Sequence, residues 1–273
     1  MSHVIAIANQ KGGVGKTTTA INLGASLAAA EKRVLVIDMD PQGNATSGFG
    51  VSARAAKSSV YGVLLNRLPL GTAILCGVHF PLLDIVPTTI DLVGAEAELV
   101  GQPQWQFRLR EALDGTREMY DFILVDCPPA LGVLTLNTLV ASDTVLVPLQ
   151  AEFFALEGLS QFAETLEVVR KHLNPRLGVE GVLLTMYDRR LKLAQQVATE
   201  ARKYFGNRLF RTAIPRNVRL AEAPSFGKPA LLYDLTSEGA QAYLSLAREV
   251  ILRSPMMEVD GHRVGDEQQV LTT

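Results

Sequence analysis

Residues able to grip phosphate are densest at Gln10-Lys11-Gly12-Gly13-Val14-Gly15-Lys16-Thr17-Thr18, directly after an apolar run and before a helical stretch. Glycines at 12, 13 and 15 let backbone N–H groups around Val14 close on phosphate oxygens, and the following helix turns its positive end toward them. At the helix start, Lys16 reaches β- and γ-phosphates, the Thr17 hydroxyl ligates Mg²⁺, and Thr18 completes the first turn. The strict G-x-x-x-x-G-K-[ST] pattern fails at its first position, where Gln10 replaces glycine, and a second lysine, Lys11, stands inside the loop. This pattern specifies a nucleotide site.

Two further segments supply acids. Asp38-Met39-Asp40-Pro41-Gln42-Gly43-Asn44-Ala45-Thr46 follows one apolar run, and Asp126-Cys127-Pro128-Pro129 ends another. Loops at the carboxyl ends of parallel strands face the ligand crevice, so both acid clusters belong near the phosphates. Asp40 then positions or activates the attacking water, Asp38 supports the magnesium shell, and Asp126 is the strand-end acid that holds Mg²⁺ through its waters. A lone strand-end Asp is more often a turn or cap; two beside a phosphate loop reverse that preference. Cys127 reads as a small apolar filler.

The elements that must carry these groups alternate. Apolar, β-branched runs predict strands over 3–8, 33–38, 83–87, 121–126, 144–148, 181–187 and 209–214. Helical patterns span 17–30, 104–113, 133–141, 156–172, 191–205 and 237–252. This rhythm predicts an α/β fold with a doubly wound, mostly parallel sheet flanked by helices. Residues 43–59, rich in small and polar types, read as a movable loop. We expect one ATPase domain over 1–253 and a poorly ordered tail over 254–273.

With 273 residues, 48% of them hydrophobic, the chain can bury a large core, which excludes general disorder. Two cysteines are too few for a disulfide framework or a self-contained zinc site and fit a reducing cytoplasm. The sequence carries neither a signal-peptide pattern nor an apolar stretch near 18 residues, so no membrane association is expected. The net charge of −2 argues against an obvious nucleic-acid binder, but it is unevenly spread. Residues 185–219 hold nine basic side chains against two acidic ones, a local +7 that leaves −9 elsewhere. Such a cluster suits salt-sensitive, sequence-tolerant binding to phosphate backbones.

Together the blocks resemble the ParA/Soj family of chromosome- and plasmid-partition ATPases, within the deviant Walker-A group. The match runs from residue 3 to about 252; its most specific parts are the 38–46 block and Pro-Arg-Asn-Val-Arg-x-x-Glu-Ala-Pro-Ser-x-Gly-Lys-Pro over 215–229. The resemblance implies ATP and Mg²⁺ as cofactors, hydrolysis to ADP and phosphate, and an ATP-dependent sandwich homodimer in which Lys11 reaches the partner's nucleotide. It implies non-specific double-stranded DNA binding and a ParB-type centromere-binding partner that stimulates hydrolysis and releases the dimer. It also suggests an adenine pocket at Met186, Pro215 and Asn217, and DNA contacts led by Arg189 and Arg219, with Arg190, Lys192 and Arg216 beside them. The first strand starts at His3, so no N-terminal helix-turn-helix domain is expected. A MinD-like membrane ATPase, an iron–sulfur reductase ATPase, a small-molecule ligase and a non-catalytic DNA-bridging scaffold are the rival readings. The acidic character of 254–273 argues against the first, the cysteine positions against the second and the 38–46 block against the third. Acceleration of phosphate release by DNA and ParB distinguishes an ATPase from the scaffold.

Overall fold

Strands that are apolar almost throughout need cover on both faces, and the fold provides it. The computed structural model describes residues 2–52, 58–152 and 155–254, with side chains omitted for 155–160. Six strands, β1 (His3–Ile7), β2 (Val34–Asp38), β3 (Leu83–Val86), β4 (Phe122–Asp126), β5 (Thr144–Gln150) and β6 (Gly178–Thr185), pair in parallel in the order β3-β2-β4-β1-β5-β6. The helices are α1 (Lys16–Ala29), α2 (Asn44–Gly48), α3 (Val60–Asn66), α4 (Leu92–Val100), α5 (Arg108–Leu113) and α6 (Val133–Ala141). They continue with α7 (Ala155–His172), α8 (Lys192–Phe205), α9 (Val218–Glu222), α10 (Ala230–Tyr233) and α11 (Glu238–Arg253).

Alternation along each strand sends side chains to two cores. Ile5, Ile7, Val34, Val36, Phe122 and Leu124 pack under α1 and α11, while Val4, Leu35, Ile37, Ile123 and Val125 pack under α3 to α6. A third cluster, including Ala6, Val145, Val147 and Phe162, lies beneath α6 to α8. The wholly buried Tyr243 of α11 meets the Thr19 hydroxyl of α1 at 3.1 Å, which fixes the helix behind the phosphate loop.

The doubly wound parallel sheet is as expected; three local expectations are corrected. Residues 209–214 are not a strand. They run beside β6 with Phe210 N–H donating to the Val182 carbonyl and Ile214 N–H to that of Leu184. Between those bonds, the N–H groups of Arg211 and Thr212 donate to the Glu249 carboxylate instead, at 2.9 and 3.1 Å, so the ladder is broken. The 43–59 segment begins as α2 rather than as open loop, and its residues 53–57 lie outside the described residues. The helix expected over 104–113 is a short 3₁₀ turn, Trp105–Phe107, followed by α5. The predicted tail lies outside the described residues beyond Ser254. Among the described residues, no helix is long and apolar enough to cross a membrane.

Candidate nucleotide site

Strand register brings the acids together. Ile7 of β1 and Asp38 of β2 both align with Asp126 of β4, so the three strands end level at one rim of the sheet. The loop from β1 into α1 lies over this rim. Gly15 caps α1 with φ +89°, a left-handed conformation open to glycine and strained for other residues. The Val14 carbonyl accepts the Thr185 hydroxyl at 2.8 Å, tying the loop to the end of β6.

Lys16 is buried and donates to the Lys11 carbonyl at 3.0 Å. Burial lowers its pKa, while Asp126, Cys127 and Asp40 act in the opposite sense. Lys11 points outward and pairs with Glu152 at 2.7 Å, both side chains about half exposed. Its own N–H donates to Asn9 Oδ1, and the Asn9 amide donates to the Pro148 carbonyl at 2.7 Å.

The three acids have different surroundings. Asp38 accepts the N–H and hydroxyl of Thr46 at 2.7 and 2.6 Å, and a longer bond from Asp40 N–H. Its pKa is nonetheless raised, chiefly by burial, with the Asp40 charge adding to the rise. Asp40, 7% exposed, accepts the Gln42 N–H at 2.9 Å through one oxygen. Asp126 is fully buried, and neither carboxylate oxygen has a hydrogen-bond partner among the described residues. Burial and then Asp38 push its pKa well up; Thr17 and Lys16 oppose this, Thr17 without a hydrogen bond of normal geometry. Two aligned buried carboxylates, one of them orphaned, form a donor set suited to a hydrated divalent cation. Burial likewise pushes the Cys127 thiol up to about 12, so it is neutral, as its reading as filler requires.

The other predicted residues fall into two groups. Met186 follows β6 with φ +48°, and the next residue, Tyr187, pairs with Pro215 through a bridge and a 2.9 Å bond to the Ile214 carbonyl. Asn217 caps α9, its Oδ1 accepting the Arg219 N–H at 3.0 Å, which leaves the amide NH₂ to donate elsewhere. Arg189, Arg190, Lys192, Arg216 and Arg219 are all exposed, in the β6–α8 connection, at the start of α8 and around α9. Arg190 grips Asp188 through two bonds of 2.9 and 2.7 Å, holding that carboxyl down to about 2. Arg219 pairs with Glu222 at 2.8 Å and Asp234 at 3.3 Å, its guanidinium 6.0 Å from the Tyr233 ring centre. Arg189, Lys192 and Arg216 have no ion pair among the described residues.

Sequence alone assigns no roles to Asn9, Thr46 or Glu152, which brace the loop, Asp38 and Lys11. Asn9 and Thr46 carry a visible signal, a polar residue beside an otherwise apolar strand end and the last position of the 38–46 block. Glu152 carries none, because its partner is 141 residues away in sequence. A separate cavity of about 1070 Å³ lies at the amino ends of the strands, among His3, Arg33, Asp121, Thr144 and Glu180, away from the phosphate loop.

The AAA domain family model matches residues 2–179. The chain is 54% identical to the chromosome partitioning protein ParA of Myxococcus xanthus, over 93% of this chain and 89% of that one. It is 53% identical to the sporulation initiation inhibitor protein Soj of Bacillus subtilis, over 92% and 98%. Among solved structures, cobyrinic acid a,c-diamide synthase from Mycobacterium smegmatis with bound ATP analogue and magnesium aligns at a TM-score of 0.79. That likeness has 36% identity and covers 92% of this chain and 95% of that one.

Proposed function

Since the chain belongs to the ParA/Soj family of partition proteins, we propose that it is a Mg²⁺-dependent ATPase that segregates DNA by switching between bound and released states. The observation carrying this reading is the buried Asp38–Asp126 pair at the level strand ends, beside Lys16 and under a glycine loop. Residues 1–253 act as a single ATPase domain in the cytoplasm, on the nucleoid, with 254–273 appended.

Gly12, Gly13, Val14, Gly15, Lys16, Thr17 and Thr18 hold the phosphates through backbone N–H groups, the Lys16 ammonium and the threonine hydroxyls. Met186 and Pro215 cover the base, and the Asn217 NH₂ donates to its edge. Thr17, Asp38 and Asp126 hold the Mg²⁺ shell; when bound, the ion neutralises charge on the phosphate oxygens. Asp40 holds the attacking water through its second oxygen. Lys11 exchanges Glu152 for the nucleotide of a second subunit, which offsets the repulsion between facing phosphates and makes dimerisation depend on ATP. The dimer brings two basic segments together on non-specific double-stranded DNA. A ParB-type protein then speeds hydrolysis and release.

The deciding experiment measures DNA binding against salt with ATP, ADP and a non-hydrolysable triphosphate. Binding strongly favoured by the triphosphate is expected; binding indifferent to nucleotide would overturn the reading. Liposome flotation should show no ATP-dependent recruitment. Reversing both leading cations, Arg189→Glu with Arg219→Glu, should weaken DNA binding at low salt by at least about tenfold. It should also flatten the salt slope by about one unit for each phosphate no longer neutralised. Unchanged affinity and slope would remove these two from the interface. Arg219 alone should have the smaller effect, because Glu222 and Asp234 already engage it.

A further inference from the structure

We propose that His79 is a positioning residue that couples the carboxylate loop of the nucleotide site to the basic segment around Arg219. The inference rests on the DNA-binding reading above and deepens it by naming where the switch is transmitted.

His79 sits at the tip of a narrow hairpin leading into β3. Leu75 and Ile85 exchange backbone hydrogen bonds of 2.8 and 3.0 Å, and Val78 N–H donates to the Leu83 carbonyl at 2.8 Å. At the tip His79 takes φ +65°, in the left-handed region. Nε2 then lies 2.9 Å from the Phe49 carbonyl and 2.8 Å from that of Gly227. Both neighbours are acceptors only, so Nε2 must carry the proton and share it between them. One ring thereby holds together two carbonyls that are 178 residues apart in sequence.

These carbonyls end the two segments that matter. Phe49 caps α2, whose Thr46 holds Asp38 through two bonds. Gly227 caps the turn Ala223–Phe226, and Ala223 N–H donates to the Arg219 carbonyl at the end of α9. An unbroken chain of bonded groups therefore leads from Asp38 through Thr46, α2, Phe49, His79, Gly227 and Ala223 to Arg219. Beneath the ring the two segments touch backbone to backbone. A Cβ on Gly50 would lie 2.8 Å from the Gly227 oxygen, and one on Gly227 would lie 2.5 Å from the Gly50 Cα. Such a joint transmits displacement, since neither side can move alone without opening it. A second tie, from Ala230 N–H to the Asn22 side-chain oxygen at 2.8 Å, anchors α10 to α1, behind the phosphate loop rather than to the carboxylate loop.

The test compares wild type, His79→Gly and His79→Gln. Glycine removes the ring while keeping the left-handed backbone unstrained, and the glutamine NH₂ offers two donors for the two carbonyls. For each protein, DNA affinity is measured with a non-hydrolysable triphosphate and with ADP, alongside triphosphate affinity and the melting temperature. Wild type is expected to favour the triphosphate by at least about tenfold, and His79→Gly to reduce that ratio by about fivefold, with triphosphate affinity within about twofold. His79→Gln should restore most of the ratio. A merely structural role would lower the melting temperature and leave the ratio alone; a wild-type ratio in His79→Gly would overturn the proposal while sparing the DNA reading. A flat ratio in wild type would overturn the DNA reading itself. Should His79→Gly fail to fold, amide exchange in wild type decides. Residues 44–50 and 218–227 are expected to gain protection together on triphosphate binding, and independent responses would overturn the coupling.

Discussion

Replacing Asp40 by Ala is expected to lower ATP turnover by about a hundredfold or more while leaving ATP affinity within about twofold. The separation follows from what the side chain touches. The Asp40 carboxylate accepts the Gln42 N–H, and Gln42 is exposed, so water can satisfy that donor once the carboxylate is gone. Asp38, not Asp40, holds Thr46 and so fixes α2. The phosphate-gripping loop is built on β1 and α1 and does not rest on Asp40. On the proposed reading the lost oxygen is one that orients water, and orientation is realised in the transition state rather than in the bound state. Single-turnover phosphate release and equilibrium binding of a fluorescent ATP analogue measure the two quantities separately. Equal losses in both would move Asp40 from the chemical step to binding.

The second large effect has opposite signs in two assays. Asp126→Asn should stabilise the metal-free protein by about 1 kcal/mol and lower Mg²⁺-dependent turnover by about a hundredfold. Asp126 is fully buried with both oxygens unpartnered among the described residues, and the charges of Asp38 and Asp40 beside it are offset only in part by Thr17 and Lys16. Removing its charge relieves burial and repulsion, but on the proposed reading it also removes a carboxylate that holds the ion's water shell. Denaturant midpoints in EDTA should therefore rise in the variant, and the further stabilisation given by Mg²⁺ with ATP should shrink. The pH dependence follows from the same cause. The native pKa of Asp126 is raised above that of an unfolded Asp, about 4, so the native state binds more protons over the interval between them. The stability from this group is fully present below the unfolded value and is lost as pH climbs through the native one. Wild type minus Asp126→Asn isolates that slope. A variant less stable than wild type in EDTA at neutral pH would reject the uncompensated charge.

Much of this site is legible from residue types alone, because a phosphate loop is defined by spacing along the chain. Lys11, Lys16 and Thr17 need no tertiary information, and the apolar runs ending in Asp38 and Asp126 mark their strands. What local sequence leaves open is pairing. Nothing in either run says that β4 lies between β2 and β1, and that order makes the two acids neighbours. The 209–214 segment has a strand's composition, but a distant glutamate on α11 takes two of its N–H groups, a competition invisible to local pattern. Likewise α2 lies in a segment too rich in small and polar residues to signal a helix; its first turn is held by Thr46 bonding back to Asp38. The summed charge of residues 185–219 is plain in the sequence, whereas the availability of each cation is not. Asp188, Glu222 and Asp234 engage Arg190 and Arg219, two of the five candidate cations.

The interrupted segment beside β6 also bears on how copies of this chain can associate. An open sheet has two outer strands whose free N–H and C=O groups invite another chain to add a strand. Here residues 209–214 occupy part of the outer edge of β6 without offering a regular ladder of their own. At the opposite edge, Leu75 pairs antiparallel with Ile85 of β3 in a single bridge. Both margins of the sheet are thus stopped by short, irregular backbone. On the proposed reading, copies crowded along one DNA then meet little hazard of edge-to-edge β-aggregation, because neither margin offers a regular ladder for strand addition.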